Sequence, residues 1–151
     1  MRLSDKIYLD YNDIISMCDD ITHDISKLNP DIIVGITRGG LLPALHASHQ
    51  LNRPMTTIRW QTRDEQEQEY NSKLKKMIRD KKTVVFVDDI NDTGRTFKEL
   101  NMYYNGDGDR YMNRDNTHFI SLIKKLGTGY DAPASLTLED ERWLVFPWEK
   151  V

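Results

Sequence analysis

Four consecutive apolar residues end at Val87 and are followed directly by two aspartates, with a third, Asp92, three positions further on. An uninterrupted apolar run of this kind is typical of a strand that is buried on both faces of a sheet. After a short turn containing glycine, apolar residues recur at helical spacing. We therefore predict a central strand at residues 83–87 and a helix at residues 96–104, the unit from which parallel sheets are built.

Strand-like and helix-like segments alternate along most of the chain. Apolar residues at helical spacing predict a helix at residues 11–28, with Asn12 or Asp13 as its N-cap. The other predicted elements are strands at residues 32–36, 54–60 and 118–123, a helix at residues 43–51, and an irregular surface excursion at residues 105–116. This alternation predicts an α/β fold whose mostly parallel central sheet is flanked by helices on both faces.

Length and composition narrow the class of protein. The 151 residues, of which 38% are hydrophobic, predict a single domain over residues 1–151. A net charge of −3 argues against nucleic-acid binding, and the absence of a long apolar run argues against a membrane span or signal peptide, so we expect a cytoplasmic protein. The single Cys18 excludes an internal disulfide, and the pair His46 and His49 lacks further ligands at zinc-binding spacing.

Two loops of unusual composition follow predicted strands, at residues 37–40 and 88–96. Ligands of parallel sheets bind at the carboxyl ends of the strands, so both loops are expected to contribute to one site. In the second loop, backbone N–H groups at the start of a helix and the hydroxyls of Thr93 and Thr96 form a candidate phosphate cradle. The aspartates would repel a phosphate, so they are expected to face sugar hydroxyls or Mg²⁺ on the same ligand.

The segment VVFVDDINDTGRT resembles the phosphoribosyl-pyrophosphate motif of type I phosphoribosyltransferases: a hydrophobic strand, two acids, two further residues, then Asp-Thr-Gly-x-Thr. A strand ending in solvated aspartates that cap the next helix would account for one aspartate but not three. A receiver domain needs a second acidic strand end and a later lysine in another arrangement. A Walker-B strand needs a GxxxxGK[ST] loop, which this sequence lacks.

The resemblance implies roles at the sugar-phosphate end of the substrate. Asp88 and Asp89 would bind the ribose hydroxyls, directly or through Mg²⁺, and are the implied metal ligands. Asp92 would also act as general base or acid at N7 of the purine. The implied ligands of the 5′-phosphate are Asp92, Thr93, Gly94, Arg95 and Thr96.

Two further loops have counterparts in the family. IIVGITRGG resembles the pyrophosphate loop, in which Thr37, Arg38, Gly39 and Gly40 would bind the leaving group and the Thr37–Arg38 peptide would be cis. Residues 61–75 stand where the family has a flexible catalytic loop, although Gln61-Thr62-Arg63 replaces the common Ser-Tyr, so its contacts are not assigned. The alternative for this stretch is an exposed charged loop.

The base-binding end resembles that of 6-oxopurine enzymes. Lys125, with Lys124 as the alternative, matches a lysine at a strand end that hydrogen-bonds the purine O6. In a small C-terminal hood segment, Trp143 would stack on the purine and the backbone carbonyl of Leu144 would accept the 2-amino group. The alternative for Trp143 is that it is a buried aromatic residue of the core. Trp148 is expected to have a packing role.

Length and motif order resemble the short bacterial-type xanthine-guanine phosphoribosyltransferases over almost the whole chain. The resemblance implies a purine salvage glycosyltransferase that joins guanine, xanthine or hypoxanthine to 5-phosphoribosyl 1-pyrophosphate, with Mg²⁺, as a homodimer or homotetramer. The alternatives are a non-catalytic regulator that senses phosphoribosyl pyrophosphate or nucleotides, and a phosphoribosyltransferase for another base.

Overall fold

The computed structural model describes residues 5–62, 68–107, 110–111 and 115–149 of the chain. The helices are α1 (Tyr11–Leu28), α2 (Leu41–Leu51), α3 (Ser72–Arg79) and α4 (Arg95–Asn105). The strands are β1 (Lys6–Tyr8), β2 (Ile32–Thr37), β3 (Met55–Arg59), β4 (Val84–Asn91), β5 (Gly106–Asp107), β6 (Arg110–Tyr111), β7 (Thr117–Lys125), β8 (Ala134–Leu138) and β9 (Trp143–Val145). Within the described ranges, none of the helices has the length and apolar character of a membrane span.

The centre of the fold is a sheet of five strands in the order β3-β2-β4-β7-β8, in which every neighbouring pair is parallel. Side chains of the central strand β4 alternate between its two faces. Val85 and Val87 pack with α1 and α2, whereas Val84 and Phe86 pack with α3 and α4, and all four are fully buried. Burial on both faces explains the uninterrupted apolar run and confirms the predicted fold class.

Strand β4 continues four residues beyond its predicted end at Val87, because β7 continues beside it. The paired residues include Asp88 with Ser121 and Asn91 with Lys124. The prediction that residues 88–91 belong to a loop is therefore wrong. Asp88 and Asp89 lie on an ordered strand, and the loop that follows them begins at Asp92.

Helix α1 has its predicted bounds, but the prediction of Asn12 or Asp13 as its N-cap is wrong. The N-cap is Asp10, whose Oδ1 accepts a hydrogen bond from the Asp13 N–H at 2.8 Å, while the Asp10 N–H donates to Asp13 Oδ2 at 2.9 Å. This reciprocal capping box satisfies two backbone donors at once. Helix α2 begins at Leu41 rather than at residue 43, since a proline in the first turn of a helix removes no intrahelical hydrogen bond.

Several elements were not predicted from the sequence. Helix α3 covers part of the stretch predicted as a flexible loop at residues 61–75, while residues 63–67 of that stretch lie outside the described part of the chain. Strand β1 pairs in parallel with β9, apart from the central sheet. Within the predicted excursion at residues 105–116, β5 and β6 form a short antiparallel pair, and residues 108–109 and 112–114 lie outside the described part.

Candidate active site

A cavity of about 490 Å³ opens at the carboxyl ends of β4 and β7. Its walls come from residues 60–62 after β3, from residues 88–97 of β4 and the start of α4, and from Lys125, Trp143 and Leu144. All the residues predicted for the sugar-phosphate and purine ends therefore line one cavity. Thr37, Arg38, Gly39 and Gly40 do not line it, but their loop lies against one of its walls.

The acidic pair Asp88 and Asp89 forms the floor of this site. The Asp89 N–H donates to Asp88 Oδ1 and the Ile90 N–H donates to Asp89 Oδ1, each at 2.8 Å. Burial, followed by the negative charge of Asp89 and a hydrogen bond between the two carboxyl groups, raises the pKa of Asp88 well above its usual range. Two adjacent carboxylates that resist joint ionisation offer oxygen ligands to a cation such as Mg²⁺, whose charge would relieve their repulsion.

The loop between β2 and α2 approaches the acidic pair closely. The Thr37–Arg38 peptide bond is cis, as expected from the sequence, and the Thr37 hydroxyl donates to the Ile58 carbonyl at 3.1 Å. A Cβ atom added to Gly39 would lie 2.1 Å from Asp89 Oδ2, so only glycine allows the loop to come this near to the carboxylate. Arg38 is exposed at the same edge of the sheet.

The turn of residues 92–94, which we name the phosphate turn, leads into α4. Gly94, the N-cap, has φ = 87° and no side chain of its own to cap the helix. The Arg95 N–H donates to the Thr93 hydroxyl at 3.3 Å, and the remaining backbone N–H groups of the first turn can face an anion. The turn rests on a later segment: the Gly129 N–H donates to the Thr93 carbonyl at 2.9 Å. A Cβ atom added to Gly94 would lie 2.4 Å from the backbone nitrogen of Tyr130, which leaves the turn no room to shift backward.

Glu99 joins α4 to the chain segment that leaves β3, a role that the sequence analysis missed. Its carboxylate accepts a hydrogen bond from Arg95 Nε at 3.1 Å and from the indole Nε1 of Trp60 at 3.2 Å. Arg95 also donates through Nη1 to the Thr62 carbonyl at 3.2 Å. The spacing of four residues between Arg95 and Glu99 indicates a side-chain pair on one helix, but no sequence pattern indicated that Trp60 would also bind Glu99.

Asp92 and Lys125 meet inside the cavity, where Lys125 Nζ lies 3.2 Å from Asp92 Oδ1. The parallel register of β4 and β7 places these residues side by side, one position beyond the pair Asn91 and Lys124. Lys124 instead forms an ion pair with Asp131 at 2.9 Å and is not among the residues that line the cavity. Of the two candidate lysines, Lys125 is the one that reaches the site.

Strand β9 forms the remaining wall. Trp143 lines the cavity and remains 51% exposed, so it is not the buried core aromatic that the alternative required. Leu144 is buried next to it, and Trp148 stacks on Phe146 with 4.9 Å between ring centroids, in agreement with a packing role for Trp148. A half-exposed indole on a cavity wall is suited to stacking against a flat aromatic ligand.

Comparisons with known proteins show which proteins this chain is similar to. Residues 5–101 match the family model described as a phosphoribosyl transferase domain. The chain is similar to xanthine-guanine phosphoribosyltransferases of Cereibacter sphaeroides (29% identity, over 78% of this chain and 68% of that protein) and Chromohalobacter salexigens (28%, over 92% and 78%). The solved structure of a purine phosphoribosyltransferase from Pyrococcus horikoshii matches with a TM-score of 0.77 and 28% identity, over 97% of this chain and 96% of that chain.

Alanine substitutions at Gly94 and Gly127, which both have positive φ, can measure how much the packing beneath the phosphate turn contributes to stability. We expect Gly127→Ala to lower the free energy of unfolding by about 1–2 kcal/mol, because alanine is strained in this conformation but a Cβ atom there meets nothing within 4 Å. Gly94→Ala should cost about 3 kcal/mol or more, since the added carbon also collides with the backbone of Tyr130. Urea denaturation gives both values, and equal losses would contradict the close packing.

The raised pKa of Asp88 predicts how stability depends on pH in metal-free buffer. In wild type the folded carboxyl holds its proton above the ordinary value of 3.8, so stability is lost as the pH rises from that value through the raised pKa. Asp88→Asn resembles the protonated form and does not titrate. The variant should therefore match wild type near pH 4 and become the more stable protein as the pH rises, as measured by urea denaturation in EDTA.

Asp140 supplies a control, because its pKa is shifted in the opposite direction to that of Asp88. The hydrogen bonds and charge of Arg142 lower the pKa of this exposed carboxyl, so ionisation of Asp140 favours the folded state. Asp140→Asn should show no gain relative to wild type at any pH. A parallel gain in both variants would mean that the effect comes from net charge rather than from the burial of Asp88.

Proposed function

Because the chain belongs to the phosphoribosyl transferase domain family, we propose that it transfers the 5-phosphoribosyl group of phosphoribosyl pyrophosphate to a 6-oxopurine and releases pyrophosphate. The acceptor is guanine, xanthine or hypoxanthine. The observation that carries this proposal is the pair Asp92 and Lys125, 3.2 Å apart in a cavity that also contains an anion-binding turn and an exposed indole. The names of the similar proteins support the same class of acceptor.

The phosphate turn and the first turn of α4 bind the 5′-phosphate of the donor substrate. Backbone N–H groups after Gly94, the hydroxyls of Thr93 and Thr96, and the positive end of the helix dipole favour the dianion. Arg95 contributes a guanidinium that Glu99 and the Thr62 carbonyl hold at the cavity wall. This end of the site fixes the ribose so that its C1 atom points toward the purine.

Asp88 and Asp89 bind the ribose hydroxyls and Mg²⁺. The adjacent carboxylates and the raised pKa of Asp88 fit a cation better than they fit two free negative charges. When bound, Mg²⁺ supplies charge neutralisation for the hydroxyl and pyrophosphate oxygens of the donor. The loop of Thr37, Arg38, Gly39 and Gly40, which contacts Asp89 through Gly39, offers backbone amides and a guanidinium to the departing pyrophosphate.

The purine binds between Trp143 and the end of β7. Trp143 stacks on one face of the base, and the backbone carbonyl of Leu144 accepts the 2-amino group when the base is guanine. O6 and N7 are neighbouring atoms on one edge of a 6-oxopurine. Two groups 3.2 Å apart, an ammonium and a carboxylate, therefore match that edge, with Lys125 donating to O6 and Asp92 facing N7.

Asp92 acts as the general base. The bond between ribose C1 and the pyrophosphate oxygen breaks, the N9–C1 bond forms, and Asp92 removes the proton from N7, so that the purine is neutral again after transfer. Loss of the N7 proton increases electron density at N9 as the oxocarbenium-like ribose develops positive charge. In the reverse direction, the protonated Asp92 returns that proton.

The oligomeric state and the cytoplasmic location stay predictions. Exposed apolar side chains on α1 and α2, among them Tyr11, Ile15, Leu41 and Leu45, support the proposal of a homodimer or homotetramer. Size-exclusion chromatography with light scattering measures the state directly.

Replacing the proposed base should separate catalysis from binding. We expect Asp92→Asn to lower kcat by about 100-fold or more, the usual contribution of a positioned acid or base. Calorimetric affinity for phosphoribosyl pyrophosphate with Mg²⁺ should change only a few-fold, because the amide keeps the shape of the carboxyl group. Unchanged turnover would remove Asp92 from the mechanism, and a wild-type protein that binds the donor without transfer to any base would be a regulator instead.

The two neighbouring lysines form a matched pair for testing the base. Lys125→Gln should raise the KM for guanine and hypoxanthine about ten-fold, since the charged donor to O6 is lost, whereas Lys124→Gln should leave it near the wild-type value. Steady-state assays with guanine, xanthine, hypoxanthine, adenine, uracil and orotate define the acceptor. Preference for a pyrimidine would overturn the roles of both Lys125 and Trp143.

A further inference from the structure

We propose that Asn91 is a positioning residue that ties the phosphate turn and the strand end carrying Lys125 to one common support. That support is the segment of residues 127–131, which we name the bracing segment. The inference rests on the proposed function, because it assigns the spacing of Asp92 and Lys125, the two groups that contact the purine edge, to a residue that itself needs no contact with the base.

Asn91 is the last residue of β4 and its side chain is buried, with 4% of its surface exposed. Its Nδ2 donates to the Tyr130 carbonyl at 2.8 Å, and its Oδ1 accepts a hydrogen bond from the Thr128 hydroxyl at 3.2 Å. Both ends of the amide are therefore engaged with the bracing segment, almost forty residues further along the chain. A buried amide that is satisfied in this way fixes the relative position of the backbones it connects.

The bracing segment also supports the phosphate turn directly. The Gly129 N–H donates to the Thr93 carbonyl at 2.9 Å, and Gly94 packs so tightly on Tyr130 that a side-chain carbon has no room. On its other side, the ring of Tyr130 packs edge-on against Phe97 and Phe119, with centroid distances of 6.2 and 5.6 Å. The segment is thus anchored in the core that α4 and β7 share.

The same segment is joined to the end of β7. The Thr128 N–H donates to the Lys125 carbonyl at 3.2 Å. The exposed ion pair of Asp131 with Lys124, at 2.9 Å, adds little to this attachment. Lys125 lies at the end of β7 and Asp92 directly follows the end of β4, and both of these strand ends are attached to the bracing segment. The Asn91 side chain closes this arrangement, because it joins the residue before Asp92 to the segment that follows Lys125.

This geometry predicts an effect on ligands that span both ends of the site. Binding of a sugar phosphate alone uses the phosphate turn, whose bond from Gly129 does not require Asn91. A purine joined to a sugar phosphate needs the turn, Asp92 and Lys125 in one fixed arrangement. Loss of the Asn91 bridge should therefore reduce purine transfer and nucleotide affinity while sparing the affinity for the sugar phosphate.

Thr128 provides the test, since it is not among the residues that line the cavity of about 490 Å³; it lines a smaller adjoining cavity, which Asp92 and Lys125 also line. Thr128→Val keeps the shape but removes the donor to Asn91, which leaves a buried acceptor unpaired, and Thr128→Ser keeps the hydroxyl. We expect Thr128→Val to lower kcat/KM for guanine about ten-fold with the KM for phosphoribosyl pyrophosphate within about two-fold of wild type, and Thr128→Ser to restore the wild-type value. Wild-type kinetics in Thr128→Val, or an equal loss in Thr128→Ser, would overturn the proposal.

Asn116, which is half-buried, is a control for the general loss of an amide bridge between distant segments. Its Nδ2 donates to the carbonyls of Ile78 and Lys82, at 2.9 and 2.7 Å, at the opposite end of the sheet. Asn116→Ala should lower the free energy of unfolding without changing kcat/KM. If it reduces kcat/KM as much as Thr128→Val does, the effect reflects stability and not positioning.

Measurements of ligand affinity can distinguish a failure of this inference from a failure of the proposed function. Calorimetry should show that Thr128→Val weakens the affinity for guanosine 5′-monophosphate about ten-fold and that for ribose 5-phosphate by less than about two-fold. An equal change for both ligands would overturn the role of Asn91 even in an active enzyme. Absence of transfer to any base by the wild-type protein would overturn the proposed function, and the ratio of the two affinities would still decide the inference.

Discussion

The site depends on one constraint, the parallel register of β4 and β7 beyond the apolar core. Because Asn91 pairs with Lys124, the next residue of each strand emerges beside the other, and Asp92 meets Lys125. A strand advances about 3.3 Å per residue, so a slip of two residues would separate these groups by about 7 Å. The fully buried valines and Phe86 of β4 prevent such a slip, since it would move each out of its packing position.

The same extension of β4 places two carboxyl groups, those of Asp88 and Asp89, on a strand of the central sheet. Asp88 occupies a strand position opposite Ser121, and its pKa is raised because both burial and Asp89 disfavour its ionisation. In the proposed function, a bound cation would favour ionisation of both carboxyl groups. The loop of residues 37–40 approaches this pair closely, since a Cβ atom added to Gly39 would lie 2.1 Å from Asp89 Oδ2.

The sequence predicted the sheet and the walls of the cavity because those features depend on local patterns: uniform apolar runs, helical spacing and a compact motif. It did not predict the end of β4, since only a neighbouring strand reveals that polar residues continue a ladder. Helix α3 was missed because its buried residues, Leu74 and Ile78, stand among lysines next to a polar stretch. The roles of Glu99 and Asn91 depend on Trp60, Thr128 and Tyr130, and no local spacing connects residues so distant along the chain.

Strand β9, which carries Trp143, pairs with β1, so the indole wall is built from residues near both ends of the described chain. The phosphate turn, the acidic pair and the loop of residues 37–40 lie between β2 and α4, and none of the hydrogen bonds described for them involves β1 or β9. During synthesis, when the N-terminal part of a chain emerges first, β2, β3 and β4 can begin to assemble early, whereas the end of β4 and the phosphate turn gain their support only with β7 and residues 127–131. The wall that carries Trp143 can form only after these parts, because β9 follows them along the chain.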